Sequence, residues 1–378
     1  MGEDRLHPGR LAVAAVRALG IYEPGKPISE LERELGISNI IKLASNENPW
    51  GPSPGTVSAM QAAIADVWLY PDGSGHELKQ ALAASLGVDA RALTLGNGSN
   101  DLLVLLAECF LQPGLNAVCS QYGFAIYPLV IAATGARVIE APALPAGHEM
   151  TYGHDLAAMA AAVDAETRLV FIANPNNPTG TWVQPDALLD FIRSLPEHVL
   201  VVLDEAYLEY GCAQGCQDGL AWLRDCPNLV VLRTFSKAYG LAGARVGYAV
   251  SHPEVAERLN RLRPPFNVNS IALCGATAAL RDTRHMQGCV TVTVHELARV
   301  RRQLLALGLR VGPSAANFLL VHVGPQAAQV YQQLLRGGVI VRPLGGYGLR
   351  EHLRITIGKP EENDRLLRLL AATREERA

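Results

Sequence analysis

Several things are scarce in this chain, and each scarcity excludes something. Excess charge is small: 33 Lys and Arg against 36 Asp and Glu leave a net charge of -3 over 378 residues. That balance argues against a general nucleic-acid binder, so any anionic ligand has to be met by a few placed arginines. No apolar run reaches the ~20 residues that a membrane-spanning helix needs. The N-terminus lacks the basic, apolar and small-residue pattern of a signal peptide, so a cytoplasmic protein without membrane partners is expected. The seven cysteines are scattered, odd in number and without a CxxC pair, which reads as reduced thiols. Cys212 and Cys216 flank a Gly/Gln loop, but no second pair and no partnering histidine accompany them, so no metal site is expected. Internal repeats and low-complexity runs are missing, and charged residues are only 18%. The chain is therefore expected to be folded throughout.

Material for a core is plentiful, since 49% of the residues are hydrophobic. The length fits one large domain with a smaller companion. Three stretches are continuous apolar runs: Leu169–Ile172, Val199–Leu203 and Leu229–Leu232. Unbroken apolarity means burial on both faces, hence a mostly parallel sheet covered by helices. Further strands are expected near 93–95, 116–119, 136–140 and 245–250. The chain before them reads as a helix over 5–20, a rigid Pro-rich arm, a helix Ile28–Leu35 and a strand Ile40–Leu43. From about 252 the pattern changes to long helices, then short strands at 318–323, 339–341 and 353–357, then a terminal helix. The expected class is α/β: a large domain over 46–264, and a smaller α+β domain made from 265–378 with residues 1–45.

Chemistry-bearing residues gather at the ends of the apolar runs. Lys237 follows Leu229–Leu232, with Thr234 and Ser236 on either side and Arg245 eight residues on. An amine ringed by anion-binding groups suits a phosphorylated aldehyde cofactor; the other reading is a solvated loop lysine. Asp204 directly follows Val199–Leu203, where a carboxylate is costly without a cationic partner. A protonated pyridine nitrogen is one such partner, and a helix N-cap role is the other reading. Tyr207 stands three residues on, in reach of the same ring's phenolic oxygen. Asn177 sits in Asn174-Pro-Asn-Asn-Pro-Thr-Gly180, a loop whose prolines and glycine fix the backbone. Gly98, Ser99 and Asn100 open a helix after a strand, which suits a phosphate. Asp101 replaces the third glycine of GxGxxG and there is no GK[ST], so this is a poor dinucleotide or ATP loop. Tyr122 follows the strand ending at Cys119 and is a candidate to stack on a flat ring. Arg354 lies inside Leu353-Arg-Ile-Thr-Ile357, and Arg342 follows Val339–Val341; each is a bidentate anion partner or an exposed edge residue.

Taken in order, these blocks resemble the fold-type I pyridoxal-phosphate aminotransferases, and within them the histidinol-phosphate aminotransferase subfamily. The resemblance runs from Tyr22-x-Pro-Gly-Lys-Pro27 through Ser45-Asn-Glu-Asn-Pro49, Tyr70-Pro-Asp-Gly73, Asn176-Asn-Pro-Thr-Gly180 and Asp204-Glu-Ala-Tyr207. It continues through Thr234-Phe-Ser-Lys-Ala-Tyr-Gly-Leu-Ala-Gly243, Pro265-Phe-Asn-Val-Asn269 and Leu353-Arg-Ile-Thr356. It implies pyridoxal 5'-phosphate as cofactor and Lys237 as the Schiff-base lysine and proton carrier. It further implies that Asp204 pairs with the pyridinium, that Tyr207 and Asn177 hold the phenolic oxygen, and that Tyr122 stacks on the ring. Gly98, Ser99, Asn100, Thr234, Ser236 and Arg245 form the phosphate seat, with Asn100 standing where many relatives carry an acidic residue. Tyr70 is implied to reach a neighbour's cofactor across a homodimer, Arg354 to take the donor's carboxylate, and Tyr22, Asn46 and Arg342 to contact substrate. The implied reaction is a ping-pong transfer from glutamate to imidazole-acetol phosphate. An aromatic oxo-acid acceptor and an amino-acid-phosphate decarboxylase are the catalytic alternatives. A cofactor-binding regulator lacks a DNA-binding module here, and a dinucleotide oxidoreductase leaves Lys237 unexplained.

Overall fold

A computed structural model describes residues 8–20 and 25–375. Its centre is a seven-stranded sheet: β1 (Leu93–Gly96), β2 (Asn116–Ser120), β3 (Arg137–Ala141), β4 (Thr167–Ala173), β5 (Leu200–Asp204), β6 (Leu229–Thr234) and β7 (Gly247–Ser251). The spatial order is β1-β7-β6-β5-β4-β2-β3. All neighbouring pairs are parallel except those made by β7, which runs antiparallel to both β1 and β6. The three continuous apolar runs form the central strands β4, β5 and β6. Side chains alternate along a strand, so both faces of this sheet are buried. Phe171, Val202 and Val230 face one helical layer; Val170, Val201 and Val231 face the other. Each fully buried aliphatic or aromatic side chain contributes about 1.5–3 kcal/mol relative to exposure. The expectation of a mostly parallel, two-side-covered sheet matches the structure.

The second sheet has four antiparallel strands: β8 (Arg310–Val311), β9 (Phe318–His322), β10 (Arg342–Pro343) and β11 (His352–Thr356), in the order β10-β11-β9-β8. Leu353 and Ile355 of β11 point into a core with Leu319, Val321 and the terminal helix Pro360–Glu375. A two-stranded parallel ladder joins Ile41–Lys42 to Val339–Ile340, and Leu43 packs in the same core as Leu353 and Ile355. The helix expected over 5–20 begins outside the described residues; within them the chain forms a 3-10 turn, Pro8–Leu11, and one short helix, Ala14–Arg17.

One boundary differs from expectation. Helix Ser270–Arg281 buries Ala272, Ala276 and Ala279 with Leu93, Leu95 and Val246, so its apolar face belongs to the layer over β1 and β7. The helix that packs on the small sheet is the next one, Thr283–Ala306, through Leu297, Val300 and Leu304. We therefore propose that the division falls at Asp282 rather than at 264.

Candidate active site

The parallel strands β4, β5 and β6 all end at one pocket of about 300 Å³. This is where open α/β sheets collect ligands. Ala173 pairs with Asp204, and Asp204 with Leu232, so the loops after these strands start side by side. Lining residues include Asn177 from the first loop, Asp204 at the end of β5 with Tyr207 beyond it, and Thr234 at the end of β6 with Ser236, Lys237 and Arg245 beyond it. The smaller unit adds Arg342 and Arg354.

Lys237 is partly buried, and its amine donates to the Ser45 carbonyl at 3.1 Å. It stands 5.7 Å from the centre of the Tyr207 ring. Loss of water and the nearby Arg354 and Arg245 cations pull its pKa down to about 8, against the pull of Glu47 and Asp204. An amine shifted this way has a sizeable neutral, nucleophilic fraction near neutral pH.

Asp204 is buried, and burial raises its pKa. Two donors oppose that rise: the Tyr127 hydroxyl at 2.9 Å on Oδ2 and the Ala206 amide at 3.1 Å on Oδ1. The carboxylate is thus held at the end of a buried strand, ready for a cationic partner inside the pocket. Tyr207 is likewise buried, and its hydroxyl is pushed up to about 12, mainly by desolvation. That hydroxyl accepts from Asn46 Nδ2 at 2.8 Å, which leaves its own proton to donate elsewhere. Asn46 holds a left-handed backbone (φ 59), uncommon for a residue other than glycine. It is pinned from the small sheet: its amide donates to Thr356 Oγ1, the Thr356 hydroxyl donates to Asn46 Oδ1, and Asn317 donates to its carbonyl.

Arg354 is buried and crosses between the two units. It donates to Asn177 Oδ1 at 2.5 Å and to the Ala44 carbonyl at 2.6 Å, and its guanidinium lies 5.4 Å from the Phe318 ring centre. This arrangement holds a cationic fork at the pocket wall opposite Lys237's loop.

At the other end, Arg245 donates to Ser236 Oγ at 3.3 Å and to the Ala242 carbonyl at 3.0 Å. Thr234 donates to Ser236 Oγ at 3.0 Å. Gly98 precedes helix Ser99–Phe110 with a positive φ of 84, and a Cβ there would collide with the Arg245 guanidinium. A helix N-terminus, hydroxyls and a guanidinium thus converge on one seat with room only for glycine beside it. That donor set fits a phosphate.

Two candidates lie elsewhere. Tyr122 does not line the pocket. The tight turn closed by the Gly123 amide on the Ser120 carbonyl, 2.7 Å, carries its ring away to Tyr152, Leu320, Leu344 and Leu349. Phe124 lines the pocket instead and is the aromatic available to lie against a ring. Tyr70 is 82% exposed and stacks on Phe266 at 4.7 Å, away from its own chain's pocket. Tyr22 lies outside the described residues. Tyr127 was not anticipated. Its only sequence signal is a tyrosine in the apolar helix Ile126–Ala133, where a buried hydroxyl needs a partner. Among the described residues no cluster of His, Cys, Asp and Glu could hold a metal ion, and no helix is long and apolar enough to cross a membrane.

A model of the family "aminotransferase class I and II" matches residues 38–370. The chain belongs to that family. A histidinol-phosphate aminotransferase 1 from Nitrosococcus oceani is 52% identical over 367 residues, covering 97% of this chain and 98% of the relative. A histidinol-phosphate aminotransferase 2 from Pseudomonas aeruginosa is 53% identical over 364 residues, 95% of this chain and 96% of the relative. Among solved structures, the histidinol-phosphate aminotransferase of Sinorhizobium meliloti in complex with pyridoxal-5'-phosphate superposes with a TM-score of 0.88. It is 32% identical and covers 97% of this chain and 98% of its own.

Proposed function

We propose that the protein is a pyridoxal-phosphate-dependent aminotransferase that moves an amino group between glutamate and imidazole-acetol phosphate, forming histidinol phosphate in histidine biosynthesis. One observation carries the reading: a depressed lysine amine, a buried carboxylate and a buried arginine face a single pocket. Relatives of that name, more than half identical over almost the whole chain, supply the substrate.

The residues present fit the cofactor. Asp204 would hold the ring nitrogen's proton, and Tyr207 with Asn177 the phenolic oxygen. Phe124 would cover a ring face. Ser99, Asn100, Thr234, Ser236 and Arg245 would hold the phosphate, with Gly98 leaving room for it. When bound, the cofactor supplies an aldehyde that captures the amine and a ring that accepts electrons from the substrate's α-carbon.

The chain's own groups do the rest. Arg354 takes the donor carboxylate as a bidentate partner and so fixes where the α-carbon sits. Lys237, with its lowered pKa, takes the α-proton as base and returns it as acid one step later. An ionised Asp204 would keep the ring nitrogen protonated. Tyr207, already accepting from Asn46, would donate its proton toward the phenolic oxygen. In the second half-reaction the same residues act in reverse order on the oxo acceptor. Arg342, on the strand beside Arg354, is a further cation in the pocket lining for the acceptor's phosphate.

We further propose a homodimer in which Tyr70 reaches the neighbour's phosphate seat. Trp68 at 77% exposure, Tyr70 and Phe266 form an apolar surface that a second copy would cover. The test of substrate is competition: with glutamate as donor, kcat/KM for imidazole-acetol phosphate should exceed that for phenylpyruvate. A higher value for phenylpyruvate overturns the substrate assignment and leaves the aminotransferase reading standing.

A further inference from the structure

The displaced Tyr122 leads to a second cavity. It measures about 650 Å³, lies where the loop over residues 144–153 meets the small sheet, and shares no lining residue with the catalytic pocket. One wall is a run of four rings in edge-to-face contact. Tyr122 meets Tyr152 at 5.1 Å, Tyr152 meets His352 at 5.4 Å, and His352 meets His322 at 4.8 Å.

Three properties mark this wall as more than packing. His352 is only 9% exposed, yet among the described residues its Nδ1 has no hydrogen-bond partner. Buried polar atoms without a partner are uncommon and call for one. Tyr152 holds a left-handed backbone with φ 61, a strained state for a bulky residue and one that collects at ligand sites. The rim is cationic: Arg301, Arg310 and Arg350 line the cavity against two carboxylates, Glu149 and Glu351. Glu351 is engaged with His322 at 2.8 Å, while Arg310 lies against the same imidazole at 2.8 Å.

We propose that this cavity is a second ligand site, for a small molecule with a flat aromatic or heteroaromatic ring and an attached anionic group. The ring would lie against Tyr152 and His352, and the anion would meet Arg310 and Arg350. Tyr122 belongs to this wall and not to the catalytic pocket. Its carbonyl accepts from Asn176 Nδ2 at 2.9 Å, beside Asn177, and Phe124 follows two residues on. The inference does not depend on which acceptor the enzyme uses.

Calorimetric titration of the holoenzyme with phenyl phosphate and, separately, phenylacetate tests it. Visible absorbance, followed in parallel, reports on the catalytic pocket alone. At least one probe should bind a site whose filling leaves the absorbance unchanged. Arg310 is exposed, so Arg310→Gln should fold normally and keep kcat/KM without probe within about twofold, yet bind about tenfold more weakly, the scale of one charge-assisted contact. Tyr152→Gly should weaken binding as well, by removing the wall while relieving the backbone strain. Preference for one probe identifies the anion. Heat only from the absorbance-changing site, or equal binding by wild type and Arg310→Gln, overturns the proposal.

Discussion

The two sheets furnish the active site by different rules. The large sheet contributes from strand ends: Asp204 closes β5, while Asn177 and Lys237 stand in the loops just beyond β4 and β6. The small sheet contributes from the face of a strand. Along β11, Leu353 and Ile355 enter the core, while His352, Arg354 and Thr356 share the opposite face. Each of the three does something different: His352 lines the second cavity, Arg354 reaches Asn177, and Thr356 fixes Asn46. Strand ends thus supply the groups proposed for bond chemistry, and the strand face supplies those that position partners. Variants in the two sets should fail differently.

The largest effect belongs to the strand ends. Lys237→Ala should lower kcat by about 10⁴-fold, as loss of both the nucleophile and the proton carrier, with the fold intact by circular dichroism. On the strand face, Arg354→Ala should lower kcat/KM for glutamate by about 100-fold, chiefly through KM. Arg354→Lys should recover little, because an ammonium lacks the planar fork that meets a carboxylate through two parallel donors. A kcat defect for Arg354→Ala equal to that of Lys237→Ala would erase the distinction.

Tyr127→Phe should be milder, about tenfold in kcat, and should carry a pH signature. Losing the 2.9 Å hydrogen bond removes a donor that favours ionised Asp204, so the carboxylate's pKa rises further. The acidic limb of the kcat profile should therefore move to higher pH; a purely structural tyrosine would scale the profile without shifting it. The smallest effect concerns cofactor-free protein. Lys237 has its pKa lowered to about 8, so its amine is charged below that pH and neutral above it. The rate of cofactor attachment should rise with pH and level off above about 8. Because the unfolded lysine keeps its proton up to its ordinary, higher pKa, this group should also make the cofactor-free protein more stable as pH rises from about 8 toward that value.

The same division explains what the sequence reveals. Asp204 is legible because a carboxylate directly after a buried run needs a reason, and Lys237 because hydroxyls and Arg245 surround it. The proposed phosphate seat follows from Gly98 and the helix behind it. Phe124 is hidden by one tight turn: at the end of β2 the Ser120–Gly123 reversal decides which of two nearby aromatics enters the pocket, and no periodicity records that choice. Tyr127 looks like core until its hydroxyl is seen to meet Asp204. The hold of Thr356 on Asn46 joins residues 310 positions apart, a pairing that only the folded chain creates. The packing of Ser270–Arg281 is hidden for a similar reason, since a mixed Ala/Leu helix fits either core and only packing assigns it.

The central claim is that Lys237 is the amine that carries the cofactor. Borohydride reduction of the holoenzyme, followed by peptide mass mapping, tests it directly. The account predicts a pyridoxyl-phosphate mass increment on the peptide containing Lys237, lost when glutamate is added before reduction. An increment on Lys26, Lys42, Lys79 or Lys359 in place of Lys237, or one that glutamate does not discharge, would contradict it.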